Sequence, residues 1–160
     1  MGVENHSKPR RLAATALHAA IEQDWRRATA AVERLNTECT AEGLWDALVG
    51  WCDTFAAHAA GGDHMFGRVR LLGWNTDTGA VGEEPPTAYV RWALDLIGAR
   101  AAGDIAAFQA VVQRLNDIDD GFERGRYVSA LLTSIAETMR SLPRGYANTG
   151  RAPAGGGDGA

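Results

Sequence analysis

The sequence has little of what marks secreted and membrane proteins. It contains two cysteines and no CxxC pair, which excludes a disulfide framework and favours reduced thiols. No uncharged apolar run approaches the ~18 residues that a membrane helix needs. The polar N-terminal residues are not followed by the apolar stretch of a signal peptide. We therefore expect a cytoplasmic protein with no membrane partner.

Signatures of catalysis and of phosphate binding are missing as well. The sequence has no Walker loop, no dinucleotide-binding glycine pattern and no nucleophile elbow. Its formal net charge of −4 argues against a general nucleic-acid binder. Lys8 is the only lysine among 16 basic residues, so the arginines indicate codon usage as much as phosphate binding. We predict no cofactor and no resident metal, and we rank enzymatic activity below the binding functions.

What the sequence does contain is a globular composition with helical periodicity. Its 46% hydrophobic and 22% charged residues exclude wholesale disorder. Leu48, Trp51, Cys52 and Phe55 fall on one face of a helix, and other segments repeat this spacing. The pattern predicts an all-α fold. The predicted helices cover residues 10–22, 25–36, 41–59, 87–101, 105–116 and 121–142.

Two parts of this pattern look like copies of one unit, at an offset of 80 residues. Residues 34–36 (Arg-Leu-Asn) recur as residues 114–116, and ten identities occur in the 46 pairs from 11/91 to 56/136. The face of residues 48, 51, 52 and 55 falls on Val128, Leu131, Leu132 and Ile135. We therefore predict two pseudo-repeats of about three helices each, packed as helical hairpins or a bundle. Copy one spans 9–60 and copy two spans 87–142.

Capping residues indicate where the helices begin and end. Gly103 followed by Asp104 is typical of one helix ending and the next beginning. Asp24 holds the corresponding place without a glycine before it, so one long, bent helix is the alternative in the first copy. Asp120 and Glu123 have the spacing of a capping box that opens the last helix.

The chain divides into one helical domain, an insertion and two polar ends. Residues 1–8 are predicted to be a flexible lead-in, and residues 9–145 to form a single helical domain that Pro143 closes. Residues 61–86 break the helical pattern and are predicted to be a small loop or β-hairpin insertion. The tail at 146–160 is rich in glycine and proline and is predicted to be disordered.

The chain resembles a group of small helical proteins of Streptomyces and related actinobacteria. The resemblance lies within residues 43–147 and is carried by WCDTFAAH, FGRVR, WALDLIGARAAGD and DGFERGRYVSALLTSIAETMRSLPRGYA. Genes of this group often lie beside mobile elements or prophages, which implies a bacterial, cytoplasmic setting and an origin of that kind. The stretch from Ala99 to Phe108 also resembles a tetratricopeptide-type helical hairpin, which stacks on its neighbours to bury its apolar face.

Four potential zinc ligands lie close together in the sequence: Cys52, His58, Asp63 and His64. Their spacing matches no structural zinc pattern. Cys52 also lies on the apolar face of its helix, where a small core residue is expected. We therefore favour a core thiol over a metal site, and a metal-dependent enzyme is the third hypothesis of function. For the carboxylates at 117–120, helix capping is favoured over cation binding.

Protein binding is the function that the residues favour most. Aromatic residues are in surplus, as at Trp45, Tyr89 and Trp92, and aromatics with arginine are enriched at protein interfaces. We predict an interaction or adaptor module that binds an unidentified protein or a second copy of itself. Loops on a rigid scaffold concentrate recognition residues, so we place the binding face in the insertion. The predicted binding residues are Arg68, Arg70, Trp74, Asn75 and Asp77.

The alternative is a nucleic-acid-associated regulatory protein. Arg10, Arg11, Arg68 and Arg70 are locally basic, and Trp74 is suited to stack on a base. Acidic residues interleave with these arginines, which puts this hypothesis second. Salt separates the two, because a nucleic-acid binder releases counterions and loses affinity steeply as the salt concentration rises.

Overall fold

The computed structural model describes residues 2–61 and 87–146, with side chains from Ser7 onward. Within these residues the chain forms α-helices and no strand, which confirms the all-α prediction. Five of the six helices lie within two residues of their predicted bounds. The helices are α1 (Gly2–Ile21), α2 (Trp25–Glu38), α3 (Ala41–Ala60), α4 (Ala88–Ala102), α5 (Ile105–Asn116) and α6 (Gly121–Ser141).

The first helix is the exception, because α1 begins at Gly2 and not at the predicted residue 10. It takes in residues 2–8 of the predicted lead-in and also contains Pro9, a residue that usually interrupts a helix. Pro9 packs closely against α3, since a Cβ added to Gly43 would lie 3.0 Å from its Cγ. The sequence pattern could not show this contact, because it joins residues far apart in the chain.

The helix starts are capped by side-chain oxygens, as the sequence predicts for several of them. Asp24 accepts a hydrogen bond from the backbone N–H of Arg27 at 3.2 Å, and Asp104 accepts one from Ala107 at 3.0 Å. Such caps satisfy backbone donors that have no partner inside the helix. The caps of α3, α4 and α6 are Thr40, Thr87 and Asp120.

The turn between α1 and α2 has the same geometry as the turn between α4 and α5. In each, the aspartate N–H donates to the carbonyl five residues earlier, at 2.8 Å for Asp24 and 3.0 Å for Asp104. Gln23 (φ 64°) and Gly103 (φ 72°) are both left-handed, which ends the preceding helix. The alternative of one long, bent helix is therefore wrong. Duplication of the whole unit stays a prediction.

All six helices contribute to one apolar core. In the first half, α1 packs against α2 and α3, and in the second half α4 packs against α5 and α6. Contacts of α1 with α6 and of α3 with α4 and α6 join the halves. The indole N–H of buried Trp51 donates to the Ala13 carbonyl at 2.8 Å, and that of buried Trp92 to Val111 at 2.9 Å. No polar or charged side chain is buried in the ranges the structure describes.

α3 and α6 end close to the glycine and the proline that predict their ends. Gly61 ends α3 in the left-handed conformation, and α6 ends at Ser141, two residues before Pro143. The predicted loop or hairpin and the predicted tail lie outside the described residues, from 62 to 86 and from 147 onward. None of the described helices is long and apolar enough to cross a membrane.

Candidate functional site

The residues predicted to bind a partner lie outside the described part of the chain. They are Arg68, Arg70, Trp74, Asn75 and Asp77, within the range 62–86. Asp63 and His64, two of the four potential zinc ligands, fall in the same range. The structure describes the residues on either side of it, which are Gly61 at the end of α3 and Thr87 at the start of α4.

The other two potential zinc ligands are occupied by packing and hydrogen bonding. Cys52 is buried in the core, where loss of water and the neighbouring Asp53 carboxylate raise the pKa of its thiol to about 12. The His58 Nε2 donates to the Leu142 carbonyl at 2.9 Å. Among residues 2–61 and 87–146, no three His, Cys, Asp or Glu side chains are grouped to hold a metal. Cys52 is a core residue, as its place on the apolar face predicts.

The aromatic residues noted in the sequence pack between helices, with Trp45 and Tyr89 half-buried. Trp92 is fully buried. Trp45 packs edge-to-face on Phe108 with ring centroids 5.0 Å apart, which ties α3 to α5. Tyr89 meets Tyr127 in the same way at 4.7 Å. Packing between helices therefore accounts for each of these three aromatics, and the link between aromatic surplus and an interface stays a prediction.

A polar network joins the first turns of α4 and α6. The Tyr89 hydroxyl donates to the Glu123 carboxylate, whose two oxygens both lie at 3.0 Å. The Tyr89 hydroxyl, followed by the Glu123 and Asp120 carboxylates, raises the pKa of the Arg126 guanidinium. Asp120 caps α6 by accepting from the Phe122 N–H at 3.0 Å. Because Tyr89 engages Glu123, only the Asp120 half of the predicted capping box forms.

Phe122 is the most exposed large hydrophobic residue that the structure describes, with 72% of its surface accessible. The guanidinium carbon of Arg126 lies 5.0 Å from the centroid of its ring, within cation–π range. We refer to Phe122 and Arg126, together with Tyr89 and Glu123, as the α6 surface. The sequence analysis missed Phe122, although a signal exists, since it lies six residues before Val128 and off the apolar face of α6.

Carboxylates close to the α6 surface have structural partners. Asp117 accepts from a glutamine side chain one turn earlier, at 2.8 Å, and Asp120 caps α6. Arg124 donates to the backbone carbonyls of Ile118 and Asp119, at 2.5 Å and 3.2 Å. These contacts support the predicted capping role of this acidic turn.

Two other apolar side chains and a pair of arginines face solvent. Trp25 and Ile105, exposed by 39% and 61%, each follow a capping aspartate and hold equivalent places in the two halves. Arg10 and Arg11 are exposed on α1, and neither forms an ion pair within the described residues. Trp25 and Ile105 can be compared with Phe122 on the α6 surface. Arg10 and Arg11 are the described residues on which the nucleic-acid hypothesis depends.

Comparisons with protein-family models, with curated proteins and with solved structures give no match. The function therefore has to be inferred from the chemistry of the surface. The α6 surface offers an apolar ring stacked with a guanidinium, and a carboxylate bonded to a tyrosine hydroxyl. This combination is suited to contact with the side chains of another protein.

Proposed function

We propose that the protein is an adaptor that binds a protein partner, with the α6 surface as part of its binding face. The observation that carries the proposal is Phe122, which is 72% accessible, whereas the large apolar side chains of the described residues, apart from it, Trp25 and Ile105, are buried or half-buried. Covering such a ring on binding is worth about 1.5–3 kcal/mol. The binding residues predicted from the sequence are Arg68, Arg70, Trp74, Asn75 and Asp77.

The order within the α6 surface supports the same proposal. The Arg126 guanidinium lies over the Phe122 ring, and the Tyr89 hydroxyl is bonded to Glu123. Side chains that are already ordered lose less entropy when a partner binds. Aromatic residues and arginine also dominate the binding energy of many interfaces.

A capture experiment tests this proposal. The tagged chain is the bait in a lysate of its source organism, with and without nuclease, beside the variants Phe122→Ser and Ile105→Ser. Both variants replace an exposed apolar side chain in the first turn of a helix, so Ile105→Ser is the matched control. We expect a near-stoichiometric protein that resists nuclease, falls about ten-fold with Phe122→Ser and is retained with Ile105→Ser. Equal capture by all three chains would contradict the role of the α6 surface.

The second candidate is binding to nucleic acid, which the exposed pair Arg10 and Arg11 favours. Two adjacent guanidinium groups without a described acidic partner are suited to phosphate contacts. In this case capture collapses with nuclease and falls steeply with salt, because bound counterions are released. Replacing both arginines by glutamine would then lower the slope of affinity against salt, whereas Phe122→Ser would change it little.

The proposal places the protein in the cytoplasm. Cys39 and Cys52 are both free thiols, and a reducing compartment keeps thiols in that state. Alkylation in freshly lysed cells tests this, with Cys39 expected to be modified because it is partly exposed. Recovery of Cys39 in a mixed disulfide would argue for an oxidising compartment.

A further inference from the structure

The chain that follows α6 folds back onto the end of α3. The Gly145 N–H donates to the His58 carbonyl at 2.6 Å, and the His58 ring donates to the Leu142 carbonyl at 2.9 Å. The last four carbonyls of a helix have no partner inside it, and the His58 carbonyl, one of these in α3, also accepts the N–H of the capping Gly61 at 3.2 Å. Residues 142–146 therefore complete the cap of a helix that lies some 80 positions earlier in the chain.

Two glycines allow the segment after α6 to approach the end of α3 closely. Gly61 and Gly145 both have left-handed backbones, with φ of 82° and 81°. A Cβ added to Gly61 would lie 3.1 Å from the Gly145 Cα, and one added to Gly145 would lie 3.5 Å from the Gly61 Cα. A side chain at either position strains the left-handed backbone, and one at Gly61 also crowds the Gly145 backbone.

Tyr146 anchors the far end of the same segment. Its ring is half-buried, packs against the core and lies 6.5 Å from the His58 ring. Burial also raises the pKa of its hydroxyl. Apolar packing at Tyr146 and two hydrogen bonds at His58 thus hold a segment of only a few residues.

We propose that residues 142–146 form a detachable strap with a docked and a released state, and that docking holds the last turn of α3 folded. The strap contacts α3 through His58, Gly61 and the Tyr146 ring, whereas the core of the bundle is built from other residues. Release would open the end of α3 without unfolding the six helices, since local units open below the free energy of global unfolding. This proposal does not depend on the adaptor function.

Hydrogen exchange of the full-length chain tests the strap. In Gly145→Val, we expect the amides at residues 57–61 to exchange about ten-fold faster, with the amides around Trp51 unchanged. Trypsin cleavage after the exposed Arg144 is expected to accelerate in parallel. His58→Ala should act in the same direction, and His58→Gln, which keeps a side-chain N–H donor, should act less.

The matched control is Gly103→Gln, because Gly103 is also a left-handed helix cap but its N–H bonds only carbonyls of its own helix, α4. It should leave exchange at 57–61 unchanged. If the amides at the end of α3 exchange in Gly145→Val at the same rate as in the wild type, the helix does not depend on the strap. Equal acceleration throughout the bundle would show that the strap is not a separate unit. Either result overturns the proposal.

Discussion

The two halves of the molecule join equivalent helices in different ways. In the first half, Pro9 of α1 lies directly on Gly43 of α3, with no room for a side chain between them. At the positions 80 residues later, Tyr89 of α4 donates a hydrogen bond to Glu123 of α6. The same helix pairing is thus made once by close apolar packing and once by polar aromatic side chains. Of these two places, only the second presents functional groups at the surface, and there we place the binding face.

The core is similar in the two halves, since each half contains one fully buried tryptophan. Trp51 ties α3 to α1, and Trp92 ties α4 to α5, through indole hydrogen bonds to backbone carbonyls. The two tryptophans do not hold matching positions, because the residues 80 positions away from them are Leu131 and Leu12. The halves therefore differ in which helix carries the large side chain, and they still share one core.

The largest expected effect comes from removing either tryptophan. We expect Trp51→Ala and Trp92→Ala each to lower the free energy of unfolding by about 3–5 kcal/mol, because each leaves a cavity and removes the indole hydrogen bond. Denaturant unfolding followed by far-UV circular dichroism measures this. Both variants should unfold in a single transition, since the halves share a core. Two separate transitions would show that the halves are independent.

The close packing of the first half is tested by two glycines on the same helix. Gly43→Ala should destabilise the chain by about 1–3 kcal/mol, because the added Cβ would lie 2.9 Å from the Cys39 Cβ. Gly50→Ala is the matched control and should stabilise by about 1 kcal/mol, since a Cβ there meets no atom within 4 Å. In the second half, Glu123→Ala should cost only about 1 kcal/mol for the hydrogen bond from Tyr89. Equal losses of unfolding free energy in Gly43→Ala and Glu123→Ala would contradict the proposed difference between the two halves.

The equivalent turns provide a smaller test. Gln23 is left-handed where the second half has Gly103, and a side chain costs about 1 kcal/mol in that conformation. Gln23→Gly should therefore stabilise by up to about 1 kcal/mol, and Gly103→Gln should destabilise by a similar amount. Thermal unfolding of both variants measures the pair. A loss of stability in Gln23→Gly would mean that the glutamine side chain makes a contact worth more than the strain.

The smallest effect at neutral pH concerns the thiols. Cys52 has a pKa of about 12 in the folded chain, against about 8.5 for an unfolded thiol. The folded state therefore keeps its full stability below pH ~8.5 and loses part of it as the pH rises from there toward 12. Stability curves of the wild type and Cys52→Val should diverge only in that range. At neutral pH a thiol reagent should modify Cys39 and leave Cys52 intact, and rapid labelling of Cys52 in the native chain would contradict its burial.

Helix positions were the most predictable part of the molecule, because capping residues and apolar periodicity are local signals. Asp104 and Pro143 mark boundaries that the structure confirms within two residues. The left-handed Gln23 and the helical Pro9 were not predictable from local rules, since glycine is the usual residue in the first case and proline interrupts helices in the second.

The surface was harder to predict, because exposure depends on which helix faces meet. Trp45 and Trp92 pack between helices, whereas Phe122 is exposed beside Arg126. The contact between His58 and the strap joins segments that are far apart in the chain, and no local sequence pattern predicts it. The predicted binding residues at 68–77 stay predictions.

Site-specific photo-crosslinking tests the central claim most directly. A photoreactive phenylalanine analogue replaces Phe122 in one chain and Ile105 in another, and both chains are irradiated in living cells. We expect one dominant protein crosslink from position 122 and none of comparable yield from position 105. Crosslinks of equal yield and identity from both positions, or crosslinks to nucleic acid only, would contradict a protein-binding face on α6.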